Sequence, residues 1–391
     1  MSAIQAMGAL PTSTPRQGLS PWSPSLPVAG QPVKPPGLGT IVVAAGGTAG
    51  HVFPAEALVE ALRRRGWRPV VFTDRRAAER GFAGVERHVL PGAGVAGRGL
   101  WRGVAAFGAM AAGVAAARRR MVALRPRVVI GFGGYPSVAP VLAARLMARR
   151  PRILLHEQNA VMGRANRVLT PLADQLAVSF TNTAHAPRGA QLTGNPVRAE
   201  VRPAPYAPPG DGPFSILIFG GSLGARVMAA LVPEALAGLA ERARLHVVQQ
   251  CRPEDLERVK ELYAKAGIKA ELASFFADVP QRLAASHLVI ARAGASSIAE
   301  LAVSGRPAIL VPLPGAIDDH QRANARALAA VGAAVVLDQV GLTAARMGME
   351  IASLLADPKR LAAMAAAAAR FGRADAAERL ADLVEALEGG A

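Results

Sequence analysis

Glycine-containing turns at three places in this sequence could hold an anionic ligand. Gly46-Gly47, Gly220-Gly221 and Gly294 each follow a short apolar run and precede a segment with a helical pattern. Because glycine has no side chain, a ligand can approach the backbone there, and the positive end of the helix dipole favours a negative charge. One such turn can serve close packing alone, but its recurrence in both halves of the chain predicts a site for a phosphate-bearing substrate.

The elements that must position these turns follow from the alternation of apolar, β-branched runs with helical segments. This alternation predicts an α/β fold of two doubly wound, Rossmann-like domains with parallel sheets. Ligands of such sheets bind at the carboxyl ends of the strands, which is where the three turns lie. Strands are predicted at residues 40–45, 128–131, 153–156, 214–219, 288–291 and 308–311. Helices are predicted at 54–65, after the turn at Gly294 as far as Ala302, and at 360–387 with a break near Gly372.

Changes in composition divide the chain. The first 38 residues are rich in Pro, Ser and Gly and have no apolar core, so they predict a disordered tail and do not resemble a signal peptide. Four prolines and a glycine between residues 203 and 210 interrupt all periodicity and predict a linker. We expect a tail at 1–38, a first domain at 39–200, a linker at 201–213, a second domain at 214–371, and a C-terminal helix at 372–391 that packs back on the first domain.

The positive charge of the chain belongs to its first half. Of the formal net charge of +17, residues 1–213 contribute all, with 26 Lys and Arg against 9 Asp and Glu, whereas residues 214–391 hold 19 of each. No acidic residue occurs between Glu86 and Glu157, a stretch that contains twelve arginines. A surface of this kind attracts polyanions such as nucleic acid, anionic lipid or a phosphorylated substrate.

Missing motifs exclude several classes of protein. The first turn lacks the G-x-G-x-x-G spacing of a dehydrogenase, and no G-K-[ST] of a P-loop occurs. Cys251 is the single cysteine, so the chain has no disulfide framework, and neither a cysteine cluster nor H-E-x-x-H offers a metal site. The longest charge-free apolar run, residues 103–117, is shorter than the roughly 20 residues that a membrane span needs.

Seven motifs, in order from about Thr40 to the C-terminal helix, resemble those of the MurG family, the N-acetylglucosaminyltransferases of peptidoglycan synthesis. The resemblance implies a GT-B fold with a cleft between the two domains. It also implies inverting transfer of GlcNAc from UDP-GlcNAc to the C4 hydroxyl of undecaprenyl-diphospho-MurNAc-pentapeptide (lipid I), which forms lipid II. The motifs are Gly46-Gly-Thr-Ala-Gly-His51, Gly133-Gly-Tyr135, His156-Glu-Gln-Asn159, Gly194-Asn-Pro-Val-Arg198, Gly220-Gly-Ser-Leu-Gly-Ala225, Arg292-Ala-Gly-Ala295 with Glu300, and Asp319-His-Gln321 with Asn324.

The same resemblance implies where the substrates bind and where the enzyme works. The neutral second domain is expected to bind UDP-GlcNAc, and the basic first domain to bind lipid I and an anionic membrane. The enzyme would be peripheral, at the cytoplasmic face of the bacterial plasma (inner) membrane, with cell-wall synthesis proteins as further partners. No cofactor and no obligatory metal are expected, and neither is a nucleic-acid partner.

Site residues carry over from the family motifs position by position. Glu300 matches the glutamate that accepts hydrogen bonds from the ribose hydroxyls, and Phe276 lies where the family contacts uracil. Ser222 and the turn of Ala295, Ser296, Ser297, Ile298 and Ala299 would hold the diphosphate, and Gln321 and Asn324 the sugar. The donor would also be contacted from the other domain and from residues 196–213, where the two halves join, by Thr48, Ala49, Gly50, Asn159 and Arg198. Two departures stand out: Ala49 replaces a usual third glycine, and Gln249-Gln-Cys-Arg252 replaces His-Gln-(Ser/Thr)-Gly.

Inversion requires in-line attack and a general base near the acceptor hydroxyl. His51 is the candidate because it opens the helix after the first turn and because histidine titrates near neutrality. Glu157 is the alternative base, and a further alternative is that His51 orients the acceptor diphosphate instead.

The segment from Arg98 to Arg120 has the pattern of an interfacial helix. Apolar side chains recur at helical spacing between cationic flanks, a combination that binds anionic membrane surfaces. The alternative is a buried amphipathic helix with solvated arginines. The membrane-facing residues predicted are Leu100, Trp101, Val104, Phe107, Arg118, Arg119 and Arg120.

Two other functions compete with this one. Another GT-B enzyme that uses a UDP-sugar, such as a UDP-GlcNAc 2-epimerase, would share the donor site, but it needs further carboxylates and histidines in a first domain that is poor in acids here. Nucleic-acid binding is permitted by charge alone, yet recognisable modules are missing and aromatic residues make up only 4% of the chain.

Overall fold

The structure of the protein, a computed structural model, describes residues 37–79, 81–91, 100–220 and 226–389. The side chains of Ala49, of residues 100–107 and of Ile317 are not included. The tail predicted at residues 1–38 therefore lies outside the described residues, except for its last two.

The framework of the described residues consists of two sheets, and all strand pairs within each sheet are parallel. The first sheet contains β1 (Thr40–Ala44), β2 (Arg68–Thr73), β3 (Arg87–Val89), β4 (Val128–Gly131), β5 (Arg152–Glu157), β6 (Gln175–Val178) and β7 (Gln191–Leu192). The second contains β8 (Phe214–Phe219), β9 (Leu245–Gln250), β10 (Lys269–Ala273), β11 (Leu288–Ala291), β12 (Ala308–Leu310) and β13 (Ala334–Val336).

Helices connect these strands and cover the sheets. In the first half they are α1 (Ala49–Arg65), α2 (Arg75–Ala78), α3 (Leu100–Leu124), α4 (Tyr135–Arg145) and α5 (Arg164–Leu169). In the second half they are α6 (Arg226–Ala237), α7 (Leu256–Ala266), α8 (Val279–Ala285), α9 (Ala295–Val303), α10 (His320–Ala330), α11 (Ala344–Leu355), α12 (Pro358–Phe371) and α13 (Ala376–Gly389).

Strand order places a topological switch in each sheet. The first sheet runs β3-β2-β1-β4-β5-β6-β7 and the second runs β10-β9-β8-β11-β12-β13. The chain therefore winds outward from β1, returns to β4 beside it, and repeats this scheme from β8 to β11. Crevices for ligands open at such points, outside the carboxyl ends of the strands. The α/β fold with two doubly wound sheets is confirmed.

The predicted strands appear within one residue of their predicted ends, because fully buried β-branched runs leave little choice of element. The first helix was predicted wrongly at its start: α1 begins at Ala49, not at Pro54. The first turn of α1 contains Val52, whose side chain is fully buried in the core. This packing stabilises the turn before Pro54 as part of the helix. His51 thereby lies inside α1.

The long C-terminal helical segment is broken at Gly372, as predicted. A Cβ atom at Gly372 would lie 2.5 Å from the backbone oxygen of Ala302 in α9, so only glycine fits at this contact. After the break, α13 packs on the first sheet's core through Leu380, Ala381 and Val384, which are fully buried beside residues of α1.

The residues predicted as a linker are attached to the second half. Arg306 donates to the backbone oxygens of Ala204 and Pro205, at 3.1 and 2.9 Å, and the Tyr206 hydroxyl donates to the oxygen of His287 at 3.0 Å. This segment and α13 are therefore two places where the chain passes between the halves.

Candidate active site

The first glycine turn joins β1 to α1. Gly47 has a φ of +80°, which favours glycine, and its N–H donates to Oδ2 of Asp74 at 2.5 Å. Asp74 follows β2, and its other carboxylate oxygen caps α2 by accepting from Ala77. Thr48 is the N-cap of α1 without a side-chain capping bond, so the N-terminal amides of α1 are not capped by that side chain and can meet an anion.

His51, in the first turn of α1, meets the end of β5. Its Nδ1 atom lies 3.0 Å from Oε1 of Gln158, whose Nε2 atom lies 3.0 Å from Nδ1 of His156. His156 is fully buried, and its Nε2 atom lies 3.0 Å from the backbone oxygen of Gly194. Burial lowers the pKa of His156 to about 4, so this imidazole is neutral at physiological pH.

Glu157, the alternative base, has both carboxylate oxygens occupied. Oε1 accepts from the backbone and side-chain amides of Asn159, at 3.0 and 3.2 Å. Oε2 accepts from the backbone of Gly163 at 2.9 Å and from Asn166 at 2.8 Å. With only 2% of its surface exposed, this carboxylate orders the turn after β5 and is not presented to a substrate, which favours His51 as the base.

The turn after β11 leads into α9, which presents a second uncapped helix N-terminus. Gly294 is the N-cap residue and provides no side chain to the first turn. The hydroxyl of Ser296 is buried and has no hydrogen-bond partner among the described residues. Buried hydroxyls are normally hydrogen-bonded, so this one is suited to a ligand at the helix N-terminus.

Glu300, on the same helix, pairs with Arg198 of the first half. We call the contact surface between residues 37–200 and 214–389 the seam. Nε and Nη2 of Arg198 lie 2.9 and 3.0 Å from the two carboxylate oxygens, a bidentate arrangement. Burial acts to lower the pKa of Arg198, but the charge and hydrogen bonds of Glu300 raise it above its ordinary value. The Arg198 guanidinium also lies over the Phe53 ring, 5.0 Å from its centroid.

Asn159 and Asn324 connect the two halves directly. Nδ2 of Asn324 donates to Oδ1 of Asn159 at 3.1 Å and to the oxygen of Ala293 at 3.0 Å, and its Oδ1 accepts from the backbone of Ala160 at 2.8 Å. Asn324 is fully buried. In this structure it therefore holds the seam together, and its expected contact with the donor sugar stays a prediction.

The remaining predicted donor residues occupy different settings. Gln321 accepts from the backbone of Leu313 at 3.0 Å, and Phe276 is buried with the Arg282 guanidinium 4.2 Å from its ring centroid. Ser222 lies outside the described residues. Of the departures from the family motifs, Gln249 is fully buried and accepts from the Tyr263 hydroxyl at 2.5 Å, so it serves the packing of the second domain.

The structure brings three further residues into this region for which the sequence predicted no role. Gln158 belongs to the motif at the end of β5, but the motif did not predict its contact with His51. The contact of Asp74 with Gly47 was not predicted either, although a carboxylate directly after a strand is a recognisable signal. Glu56 also was missed: burial raises its pKa to about 7, although a hydrogen bond from the backbone of Phe82, 2.6 Å away, acts in the opposite direction.

A large apolar groove lies between α3 and α4. Its residues are separate in sequence from the turns after β1, β5 and β11. Its volume is about 890 Å³, and its walls combine apolar side chains with arginines. Val122 and Leu146 are 55% and 63% exposed, and Arg118, Arg119 and Arg120 are exposed beside them. The predicted membrane residues Leu100, Trp101, Val104 and Phe107 belong to α3, but their side chains lie outside the described residues.

The described residues contain neither a candidate membrane span nor a candidate metal site. Within residues 37–79, 81–91, 100–220 and 226–389, no helix is both long and apolar enough to cross a bilayer. The same residues contain no group of three or more His, Cys, Asp or Glu side chains arranged to hold a metal ion.

Comparison with known proteins identifies the family. Residues 41–178 match the glycosyltransferase family 28 N-terminal domain, and residues 215–380 match its C-terminal domain. A protein of Granulibacter bethesdensis, named UDP-N-acetylglucosamine--N-acetylmuramyl-(pentapeptide) pyrophosphoryl-undecaprenol N-acetylglucosamine transferase, is 52% identical over 88% of this chain and 93% of its own length. The chain belongs to the MurG family.

Two further relatives agree with this membership. A protein of Acidiphilium cryptum with the same name is 51% identical over 89% of this chain and 96% of its own. The crystal structure of Acinetobacter baumannii MurG is 30% identical and superimposes with a TM-score of 0.75 over 89% of this chain and 99% of that one. The predicted resemblance and the GT-B fold are thus confirmed, and the family is one of glycosyltransferases.

Proposed function

We propose that this protein transfers GlcNAc from UDP-GlcNAc to the C4 hydroxyl of undecaprenyl-diphospho-MurNAc-pentapeptide, forming the β-1,4-linked disaccharide of lipid II. The observation that carries the proposal is the meeting of both halves at one seam, where Arg198 pairs with Glu300 and Asn159 with Asn324. Membership of the MurG family supports the same reaction, because the two relatives described above are named as transferases of this kind.

The donor would bind at the carboxyl edge of the second sheet. The amides at the start of α9 and the Ser296 hydroxyl would bind the diphosphate. These amides are available because the N-cap residue Gly294 has no side chain that could bond to them. Glu300 would accept hydrogen bonds from the ribose hydroxyls. Because Glu300 is paired with Arg198 in this structure, donor binding would redistribute that pair and turn the guanidinium towards the diphosphate.

The reaction is a single in-line displacement. The acceptor C4 oxygen attacks C1 of GlcNAc, the bond from C1 to the β-phosphate oxygen breaks, and His51 takes the hydroxyl proton as UDP leaves. Negative charge then grows on the leaving diphosphate, and the α9 N-terminus with Arg198 would stabilise it. Direct displacement at C1 with one base accounts for inversion.

We also propose that the groove between α3 and α4 and the exposed Arg118, Arg119 and Arg120 face an anionic membrane at the cytoplasmic face of the plasma membrane. The acceptor carries a long polyprenyl chain, so the enzyme must work at a bilayer surface. An apolar surface flanked by cations suits this task, each charge contributing about 1 kcal/mol near an anionic surface.

The decisive experiment is transfer of radiolabel from UDP-[¹⁴C]GlcNAc to a lipid I analogue in detergent. We expect labelled product with the wild-type protein and roughly ten- to hundredfold less with Glu300→Ala, since the ribose loses a charged hydrogen-bond acceptor and the buried Arg198 loses its bidentate partner. The exposed Glu79→Gln is a matched control and should retain activity. Label released only to water, or no transfer to the analogue under any detergent condition, would contradict the proposal.

A further inference from the structure

We propose that Gln158 and His156 are positioning residues that fix the tautomer of His51, leaving its Nε2 atom as the basic nitrogen. The inference rests on the proposed function for the reaction that this nitrogen serves. The tautomer itself follows from hydrogen-bond geometry and can be measured separately.

The orientation of the Gln158 amide is decided by a backbone carbonyl. One end of this amide lies 3.1 Å from the oxygen of His156, which can only accept a hydrogen bond. That end must therefore be the Nε2 amino group, which also lies 3.0 Å from Nδ1 of His156. The Oε1 end then faces Nδ1 of His51 at 3.0 Å.

The tautomer of His156 is decided in the same way. Its Nε2 atom lies 3.0 Å from the oxygen of Gly194, another group that only accepts, so Nε2 carries the hydrogen. Full burial lowers the pKa of His156 to about 4, and the ring is neutral. Its Nδ1 atom is then a bare acceptor, which is what the Nε2 group of Gln158 requires.

The consequence reaches His51. Oε1 of Gln158 only accepts, so Nδ1 of His51 carries a hydrogen and the neutral ring keeps its lone pair on Nε2. The opposite assignment would place the Gln158 oxygen 3.1 Å from the His156 oxygen and would remove the donor facing Gly194. Two unpaired contacts in a buried region make that arrangement costly.

The Nε2 side of His51 points towards the turn before α4. A Cβ atom at Gly134 would lie 3.5 Å from Nε2 and 3.6 Å from the neighbouring ring carbon of His51. These are ordinary van der Waals distances, so the nitrogen to which we assign the base role lies directly beside this turn, where a φ of +67° favours glycine at position 134. The switch point between β1 and β4, where a ligand of the first sheet is expected, lies at the same place.

The test combines nitrogen NMR with kinetics. In protein with ¹⁵N-labelled histidine, at about pH 8.5, where an ordinary histidine is neutral, the wild-type His51 should show a protonated Nδ1 and a bare Nε2. The His51→Ala variant assigns the signal. In Gln158→Met, a variant of similar volume, the Nδ1-protonated form should lose its dominance, and kcat should fall about tenfold with little change of KM for UDP-GlcNAc.

Gln175→Met is the matched control, because Gln175 begins β6, the neighbour of β5, and its side-chain amide donates to the backbone oxygen of Gly189 in an exposed turn. It should leave the His51 signal and kcat unchanged. A wild-type His51 protonated on Nε2, or a Gln158→Met variant with wild-type tautomer and reduced kcat, would overturn the inference. Protein with the expected tautomer but without any transfer to lipid I would instead refute the proposed function, so the two failures are distinguishable.

Discussion

At the scale of single residues, the seam concentrates charge that the sequence does not show as a cluster. Arg198 lies near the carboxylates of Glu56, Glu200 and Glu300, and it is paired in bidentate form with the last of these. Among the described residues Glu56 has no such bidentate partner, and Glu60 and Glu200 act to raise its pKa further. If the donor binds beside Glu300 as proposed, we expect Arg198 to change partner when the charged ligand arrives.

Replacing Glu56 tests this charge balance. Because burial raises its pKa to about 7, the folded protein holds this proton more tightly than the unfolded chain between about pH 4.5 and pH 7, and the free energy of unfolding falls as pH rises through that range. Glu56→Gln keeps an oxygen to accept from the Phe82 amide. It should therefore raise the free energy of unfolding at pH 8 by up to about 3 kcal/mol and change little at pH 4.5.

Denaturant titrations of wild type and variant at both pH values measure this difference. The exposed Glu79→Gln removes the same formal charge and should show no comparable gain at pH 8. Equal stability of the Glu56→Gln variant and the wild type at pH 8 would mean that Glu56 is ionised in the folded protein at little cost.

His51 is tested at the same scale by His51→Ala. If His51 is the base, the substitution removes proton transfer in the transition state and leaves donor binding to the second domain. We expect kcat to fall by roughly 10²- to 10⁴-fold, with KM for UDP-GlcNAc nearly unchanged. Steady-state kinetics with a lipid I analogue provide the measurement, and near-normal turnover would remove His51 from the base role.

At the scale of elements, two helix N-termini and one helix break organise the molecule. α1 and α9 both begin without a side-chain cap, at the carboxyl ends of β1 and β11. The break between α12 and α13 has a different purpose, since it lets the last helix leave the second half and join the first. Arg65 of α1 then pairs with Glu378 and Glu385 of α13, at 2.6 and 2.8 Å.

Gly372→Ala should damage this crossing. The added methyl group would lie 2.5 Å from the oxygen of Ala302, a backbone atom that cannot move without shifting α9. Such overpacking costs about 1–3 kcal/mol, so we expect a clearly lower midpoint of thermal unfolding. Gly212→Ala is the control, because a Cβ atom there meets nothing within 4 Å. Equal unfolding midpoints for the two variants would show that α9 and α12 adjust freely.

At the scale of the whole molecule, the net charge is unevenly divided between the two halves of the chain. The excess of basic residues belongs entirely to residues 1–213, whereas residues 214–391 are neutral. The neutral half carries α9 and Glu300, and the basic half carries α3 and its arginines. A net charge of +17 would by itself suggest nucleic acid, but its confinement to one half favours a membrane as the polyanion.

Vesicle flotation tests this assignment. Changing Arg118, Arg119 and Arg120 together to Gln should reduce binding to anionic vesicles by about tenfold or more and leave the weaker binding to neutral vesicles unaltered. The matched control changes three exposed arginines of the neutral half, Arg326, Arg346 and Arg370, to Gln and removes the same total charge. Equal loss in both triple variants, or equal binding of the wild type to both vesicle types, would contradict a specific membrane face.

The sequence by itself determined the two-domain α/β fold, the family and six strands, namely β1, β4, β5, β8, β11 and β12, whereas the other seven described strands were not predicted. Buried β-branched runs have few alternative structures, and motif residues are local, so β8 and the motif of residues 156–159 could be recognised from the chain alone. The break at Gly372 was also visible. The start of α1 could not be predicted in this way. Proline usually occupies the first turn of a helix, which suggested a start at Pro54, but the buried Val52 belongs to an earlier turn that begins at Ala49.

Only the tertiary structure decided which partners these residues have. The contact of Arg198 with Glu300 joins positions 102 residues apart, and that of His51 with Gln158 joins positions 107 apart. The sequence left both His51 and Glu157 as candidate bases, and the four hydrogen bonds that Glu157 accepts in the structure favour His51, whose base role stays a prediction. Hydrogen bonding depends on distance and direction between atoms brought together by folding, and spacing along the chain does not carry that information.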